Sequence, residues 1–222
     1  VIGAQLPLAV QLRDTASFET YFPGPNVEAV AALREARLPA LLFGAEGSGR
    51  THLLQACCRE HAGTYLPLGA AVDYGPDALD GLIQPARLYL DDLDAWLGER
   101  EREFALLRLL DARRAAQHVT VLAASAPPER LILALPDLRT RLSALTVLGL
   151  RPLDDAQRAQ LLRTRAMARG LELPEEVSRW LLHTQARGAA PLLDALDRLD
   201  RASLSAKRRL TLPFVQSVLA TS

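Results

Sequence analysis

Residues 38–52 read Leu-Pro-Ala-Leu-Leu-Phe-Gly-Ala-Glu-Gly-Ser-Gly-Arg-Thr-His, and this stretch decides the fold. Its first six residues form a short apolar run, the pattern of a buried strand. Gly44 to Thr51 then fits the phosphate-binding loop G-x-x-x-x-G-K-[S/T], with Arg50 standing in the lysine position. The residue types follow from the chemistry. Gly44, Gly47 and Gly49, with Ser48 between them, let successive backbone N–H groups turn inward around phosphate oxygens. The helix expected from about Arg50 to His61 adds its positive N-terminal end. A cation at position 50 reaches the β and γ phosphates, and the Thr51 hydroxyl is placed to bind Mg²⁺. Arginine keeps the charge but is forked and bulkier than lysine. A Gly-rich strand-to-helix turn that binds nothing would share this composition, so the context decides.

That context is favourable. Leu88-Tyr-Leu-Asp-Asp92 lies about 40 residues on, an apolar strand ending in acids. Asp91 is placed to hold a metal-bound water and Asp92 to orient an attacking one. Alone the pair is weak, because strands often end in aspartate as a turn residue. Thr64–Leu68, Val119–Ala124 and Thr146–Leu150 read as further strands, with helices over Val27–Arg37 and Trp96–Ala116. Strands alternating with helices predict a parallel sheet covered on both faces. After Arg151-Pro152 the pattern turns helical, over 154–169, 174–184 and 191–206, with a last helix from near Leu212-Pro213. Asp154 is the expected N-cap of the first and Pro174 a first-turn residue of the second. The expected organisation is an arm at 1–13, an α/β core at 14–150 and a small all-helical lid at 151–222.

Composition narrows the function classes. The 26 basic and 26 acidic side chains cancel, so net charge makes no case for nucleic acid or anionic membrane. Lys207 is the only lysine, which cautions against reading every arginine as functional. Cys57 and Cys58 are adjacent on a helix, the pattern of buried structural thiols rather than a disulfide framework. No targeting segment and no apolar run near 20 residues is visible, so a soluble, cytoplasmic protein is expected. The four histidines lack metal-ligand spacing.

The loop with its Thr51-His-Leu-Leu54 continuation, the Leu-Asp-Asp-Leu-Asp run at 90–94 and the 15–26 entry resemble the AAA+ domain of the bacterial replication initiator DnaA. Leu135-Pro-Asp-Leu-Arg-Thr-Arg-Leu142, Leu171-Glu-Leu-Pro-Glu-Glu-Val177, Leu199-Asp-Arg-Ala-Ser203 and Leu210-Thr-Leu-Pro-Phe-Val215 resemble segments of its shorter relatives, the Hda regulators. Gln5-Leu-Pro-Leu8 looks like the sliding-clamp-binding peptide at the start of those regulators. The resemblance covers essentially the whole chain. It implies an AAA+ P-loop core with a helical lid, binding ADP or ATP with Mg²⁺. It implies a regulator that docks on the DNA-loaded clamp (the polymerase β subunit) through Gln5, Leu6 and Leu8, and contacts ATP-bound DnaA. The position matching the family's arginine finger is Arg141, which would speed hydrolysis in DnaA's site. Phe22 and Pro23 fall where the entry segment packs on adenine, and could equally be core residues. His52, directly after the loop in that continuation, is also expected among the nucleotide-binding residues.

Two departures bear on hydrolysis by the chain itself. The polar residue that senses γ-phosphate should fall near Ala126, where Ser125 carries the only hydroxyl. The lid arginine expected to reach the nucleotide aligns with Ala190; Arg187 lies one helical turn away. Own hydrolysis is therefore expected to be weak. The sequence shows no basic helix of a DNA reader, so direct sequence-specific DNA binding is not expected. Competing readings are an autonomous P-loop ATPase of helicase-loader type, and a module that only binds clamp and nucleotide. Homo-oligomerisation stays open.

Overall fold

A computed structural model describes residues 12–13, 16–35, 37–186, 188–206 and 208–220. The chain divides into two compact units, 1–45 with 50–151, and 46–49 with 152–222.

In the first unit, α1 (Val27–Glu35), β1 (Ala40–Gly44), α2 (Arg50–His61), β2 (Thr64–Pro67), β3 (Arg87–Asp91), α3 (Arg100–Ala115), β4 (Val119–Ala124), α4 (Pro136–Ser143) and β5 (Thr146–Leu150) follow in order. The strands form one parallel sheet in the order β2-β3-β4-β1-β5. Side-chain alternation sorts its residues onto two faces. Leu41, Leu66, Leu88, Leu90, Leu122 and Ala124 join one core, with Leu106, Leu109 and Leu110 of α3 and Leu138 and Leu142 of α4. Ala40, Leu42, Tyr89, Val121 and Ala123 join the other, with Leu33 of α1 and Leu53, Leu54 and Cys57 of α2. Burial on both faces explains why the strands read as near-continuous apolar runs.

Two differences from the sequence expectation have local causes. The helix expected from Trp96 begins at Arg100, because Leu97-Gly98 breaks the chain and Gly98 holds φ 87°. Trp96 instead ends a 3₁₀ turn, fully buried, and its indole N–H donates to the Leu68 carbonyl at 2.8 Å. Helix α4 was legible only as a motif; Pro136 opens its first turn.

Two buried charged side chains staple irregular segments. Arg113, 1% exposed, donates to Thr120 Oγ1 and to the carbonyls of Leu82, Ile83, Pro85 and Val119. Burial lowers its pKa to about 10, so the guanidinium stays charged at neutral pH. Glu103, fully buried, accepts the backbone N–H groups of Gly98, Ala134 and Leu135 at 2.7–2.9 Å.

The second unit holds α5 (Asp155–Ala168), α6 (Glu175–Thr184), α7 (Ala189–Ala206) and α8 (Leu212–Ala220). Its core is Leu162, Ala166, Val177, Leu181, Leu192, Leu196, Leu199, Leu210 and Val215. Asp154 caps α5 as expected, in a reciprocal capping box with Gln157. Pro174 occupies the N-cap position of α6, one residue before its first turn. Buried Arg158 pairs with Asp155 and donates to the carbonyls of Leu182 and Ala186, tying down the turn between α6 and α7.

Candidate functional site

The parallel sheet brings Gly44, Asp91 and Asp92 of the first unit to the C-terminal ends of its central strands, where α/β sheets bind ligands. Gly44 closes β1 and α2 starts at Arg50. Between them Gly47 and Gly49 take φ 76° and 94°, left-handed conformations that only glycine adopts freely. The loop thus feeds the first turn of α2, whose N–H groups lack intrahelical acceptors. Arg50 and Thr51 occupy that turn, both half-buried.

Asp91 ends β3 and is 2% exposed. Its Oδ2 accepts the Tyr65 hydroxyl at 2.8 Å and its Oδ1 accepts the Asp92 N–H at 3.0 Å. Among the described residues, no Lys, Arg or His forms an ion pair with it. A buried carboxylate with no cationic partner and acceptor positions to spare fits a hydrated divalent cation. Asp92 adopts φ 53°, ψ 46°, a left-handed conformation that aspartate tolerates better than most residues. Burial raises its carboxyl pKa, Asp91 and Asp94 add to this, and Arg50 opposes it.

Asp94 was not singled out from the sequence. Its carboxylate accepts the Ser125 N–H at 2.7 Å and lies 2.5 Å from the Ser125 hydroxyl. Ser125, the only hydroxyl at the sensing position after β4, is therefore already engaged. Ala126 packs against the core.

The entry segment is tied to the sheet by Asn26, which bonds both the N–H and the carbonyl of Arg151 at 2.8 and 2.9 Å. Phe22 is half-buried and Pro23 exposed, just ahead of that anchor. His52 Nε2 lies 2.9 Å from the Ser17 carbonyl and 3.2 Å from Thr20 Oγ1, and its ring sits 5.6 Å from that of Tyr21. The imidazole braces the entry segment against α2.

Arg141 and Arg139 separate clearly. Arg139 spends its guanidinium on the carbonyls of Pro128 and Leu131. Arg141, in the last turn of α4, keeps 28% of its side chain exposed. Its Nε lies 2.6 Å from Asp111 Oδ1, off the N–H axis, so the contact is charge pairing rather than an aligned hydrogen bond. It borders a cleft of about 380 Å³ with Leu38, Pro39, Leu110, Arg114 and His118. In the register of β5 with β1, Thr146 pairs with Ala40 and Leu150 with Gly44. Arg141 precedes Thr146, so it stands at the N-terminal edge of the sheet. The loop starts at the opposite edge, about 15 Å away at roughly 3.3 Å per strand residue.

Gln5, Leu6, Leu8 and Arg187 lie outside the described residues. Ala190 is exposed in the first turn of α7. Among the described residues, no group of three or more His, Cys, Asp or Glu could hold a metal alone. No described helix is long and apolar enough to cross a membrane.

The fold defines the class: an AAA+ fold with a five-stranded parallel core and a helical C-terminal unit. Domain III of the Thermotoga maritima replication initiation protein DnaA is similar, at TM-score 0.76 and 21% identity, over 95% of this chain and 98% of that one. AMPPCP-bound DnaA from Aquifex aeolicus is similar at TM-score 0.69 and 19% identity, over 84% and 65%. The Thermotoga maritima RuvB Holliday junction branch migration motor gives 0.69 and 15%, over 92% and 71%. These likenesses establish the fold. Residues 155–219 match the family model of the Hda lid domain.

Proposed function

We propose that this chain regulates replication initiation by inactivating DnaA, supplying Arg141 to the nucleotide site of ATP-bound DnaA while docked on the sliding clamp. The observation that carries the reading is the placement of Arg141. It is partly exposed at the sheet edge opposite its own phosphate loop, so it serves a neighbour's site or none. A guanidinium entering that site would neutralise charge building on the γ-phosphate, an effect of about 10³–10⁵ in rate in such systems. The Hda-type lid supports the choice of partner. Clamp docking would fall to Gln5, Leu6 and Leu8, and the protein would act in the cytoplasm.

The chain's own nucleotide, ADP or ATP, would be held by the loop amides of Gly44–Thr51, with Phe22 and Pro23 against adenine and His52 steadying the entry segment. Arg50 would contact the phosphates. Thr51 and Asp91 would hold the Mg²⁺ that neutralises the phosphate charge. With Ser125 engaged by Asp94 and Ala at 126 and 190, the nucleotide acts mainly as a latch.

The test adds this protein and DNA-loaded clamp to ATP-bound DnaA and follows conversion to ADP. Arg141→Ala should abolish stimulation while leaving nucleotide and clamp binding intact. Removing residues 1–9 should lose the clamp-dependent part. Wild-type behaviour in both variants sinks the reading. The adjacent carboxylates of Asp91 and Asp92 at the end of β3 favour one alternative, an autonomous ATPase of helicase-loader type. It predicts ATP turnover by the isolated chain at a rate typical of AAA+ motors, without DnaA.

A further inference from the structure

The phosphate loop and the acidic strand end account for Arg50, Thr51 and Asp91, but not for the polar groups packed behind them, one half-buried and one buried. Tyr65 of β2 is one. In the register of β2 with β3, Tyr65 lies opposite Tyr89 and Pro67 opposite Asp91, yet its hydroxyl reaches Asp91 Oδ2 at 2.8 Å. An ionised carboxylate only accepts, so the tyrosine donates. Behind Tyr65 stands Gln55 of α2, 5% exposed; burial raises the phenol's pKa, Asp91 adds to this, and the nearby Gln55 side chain opposes it. Gln55 Oε1 accepts the Arg13 N–H at 3.0 Å, which commits the oxygen and leaves the NH₂ group to face Tyr65. The observed bond runs from the Tyr65 O–H to Asp91, and the amide of Gln55 presents its donor side to the phenol.

We propose that Tyr65, oriented by Gln55, is the positioning residue that sets the Asp91 carboxylate for the hydrated divalent cation held with a bound nucleotide. Asp91 has two oxygens and roughly four acceptor positions. Tyr65 and the Asp92 N–H take one on each oxygen, which fixes the rotation of the carboxylate. The remaining positions then face a definite direction. Without the phenol, one oxygen loses its tether in a site where no described cation replaces it. Partners of this kind orient metal-binding groups, and their loss typically costs about 10–100-fold in metal affinity. Because Asp91 would act through water, the lower end applies here, about tenfold.

This inference rests on the nucleotide-binding reading of the loop. The experiment measures equilibrium binding of a fluorescent ADP to the whole chain, first in EDTA and then across a Mg²⁺ titration. Tyr65→Phe keeps the ring and removes only the hydroxyl. It should leave ADP affinity in EDTA unchanged and raise the Mg²⁺ concentration for half-maximal tightening about tenfold. Gln55→Leu should shift it in the same direction by less. The double variant should be no worse than Tyr65→Phe alone, since Gln55 acts through the phenol. An unchanged Mg²⁺ midpoint in Tyr65→Phe overturns the proposal, as does an equal loss of affinity in EDTA, which marks a merely structural role. Additive effects in the double variant overturn the relay through Gln55. Failure of the wild-type chain to bind ADP under any condition overturns the nucleotide reading and this inference with it.

Discussion

Arg141 is paired with Asp111: its Nε stands 2.6 Å from the carboxylate carried by α3, and both side chains remain partly exposed. The finger candidate is thus held by its own unit, and on the proposed reading it would exchange one carboxylate for the phosphates of a partner. An exposed pair of this kind is worth only about 0.2–1 kcal/mol. The hold is weak enough to release. Asp111→Asn should therefore increase stimulation of DnaA-bound ATP hydrolysis, by about fivefold at most, as measured by ADP formation at limiting concentrations of this protein. A loss of stimulation would mean that Asp111 orients the guanidinium productively rather than restraining it.

Arg139 tests the other arginine of the same helix. Its two bonds to the Pro128 and Leu131 carbonyls hold the segment after β4 onto α4. Arg139→Ala should cost about 1–3 kcal/mol of stability, read by chemical denaturation. Stimulation should survive at temperatures where the variant remains folded, in contrast to Arg141→Ala.

Arg113 carries the heaviest structural role of any buried charge in the first unit. Arg113→Met keeps much of the volume but leaves the carbonyls of residues 82, 83, 85 and 119 without their donor. Destabilisation of about 3 kcal/mol or more is expected from several unsatisfied buried acceptors. Neighbouring Arg114, exposed on α3, should tolerate alanine within about 0.5 kcal/mol. Urea titration of both variants checks the contrast.

The cysteines should be inert in the folded protein. Burial pushes the Cys57 thiol up to about 12, with Glu60 and Cys58 adding to the shift, and Cys58 is raised as well. At pH 8 only about one Cys57 in 10⁴ is thiolate, the reactive form. Iodoacetamide labelling followed by mass spectrometry should modify neither residue at an appreciable rate until denaturant is added. Rapid native labelling of Cys57 would show that α2 opens readily from the sheet.

Nucleotide binding should appear as stability. A ligand at 100 times its Kd adds about 2.7 kcal/mol to the folded state, which raises Tm by about 5–10 °C at this chain length. ADP with Mg²⁺ should produce such a shift in the wild-type chain, and Arg50→Ala or Thr51→Ala should reduce it. EDTA should remove the part that depends on Asp91.

The sequence by itself determined the fold class, because glycine spacing and apolar periodicity are local physical constraints. Gly47 and Gly49 announce a loop no other residue could form as cheaply, and the strands around Leu41 and Leu122 read as near-continuous apolar runs, as a sheet buried on both faces must. It also marked Asp154, since a capping box is written within four residues. Tertiary structure decided what depends on long-range pairing. No spacing rule links Tyr65 to Asp91, Asp94 to Ser125 or Glu103 to Leu135, because folding alone brings these partners together. The two arginines of Arg139-Thr-Arg141 are alike in sequence; only the fold gives one to backbone carbonyls and leaves the other at the sheet edge, away from its own phosphate loop.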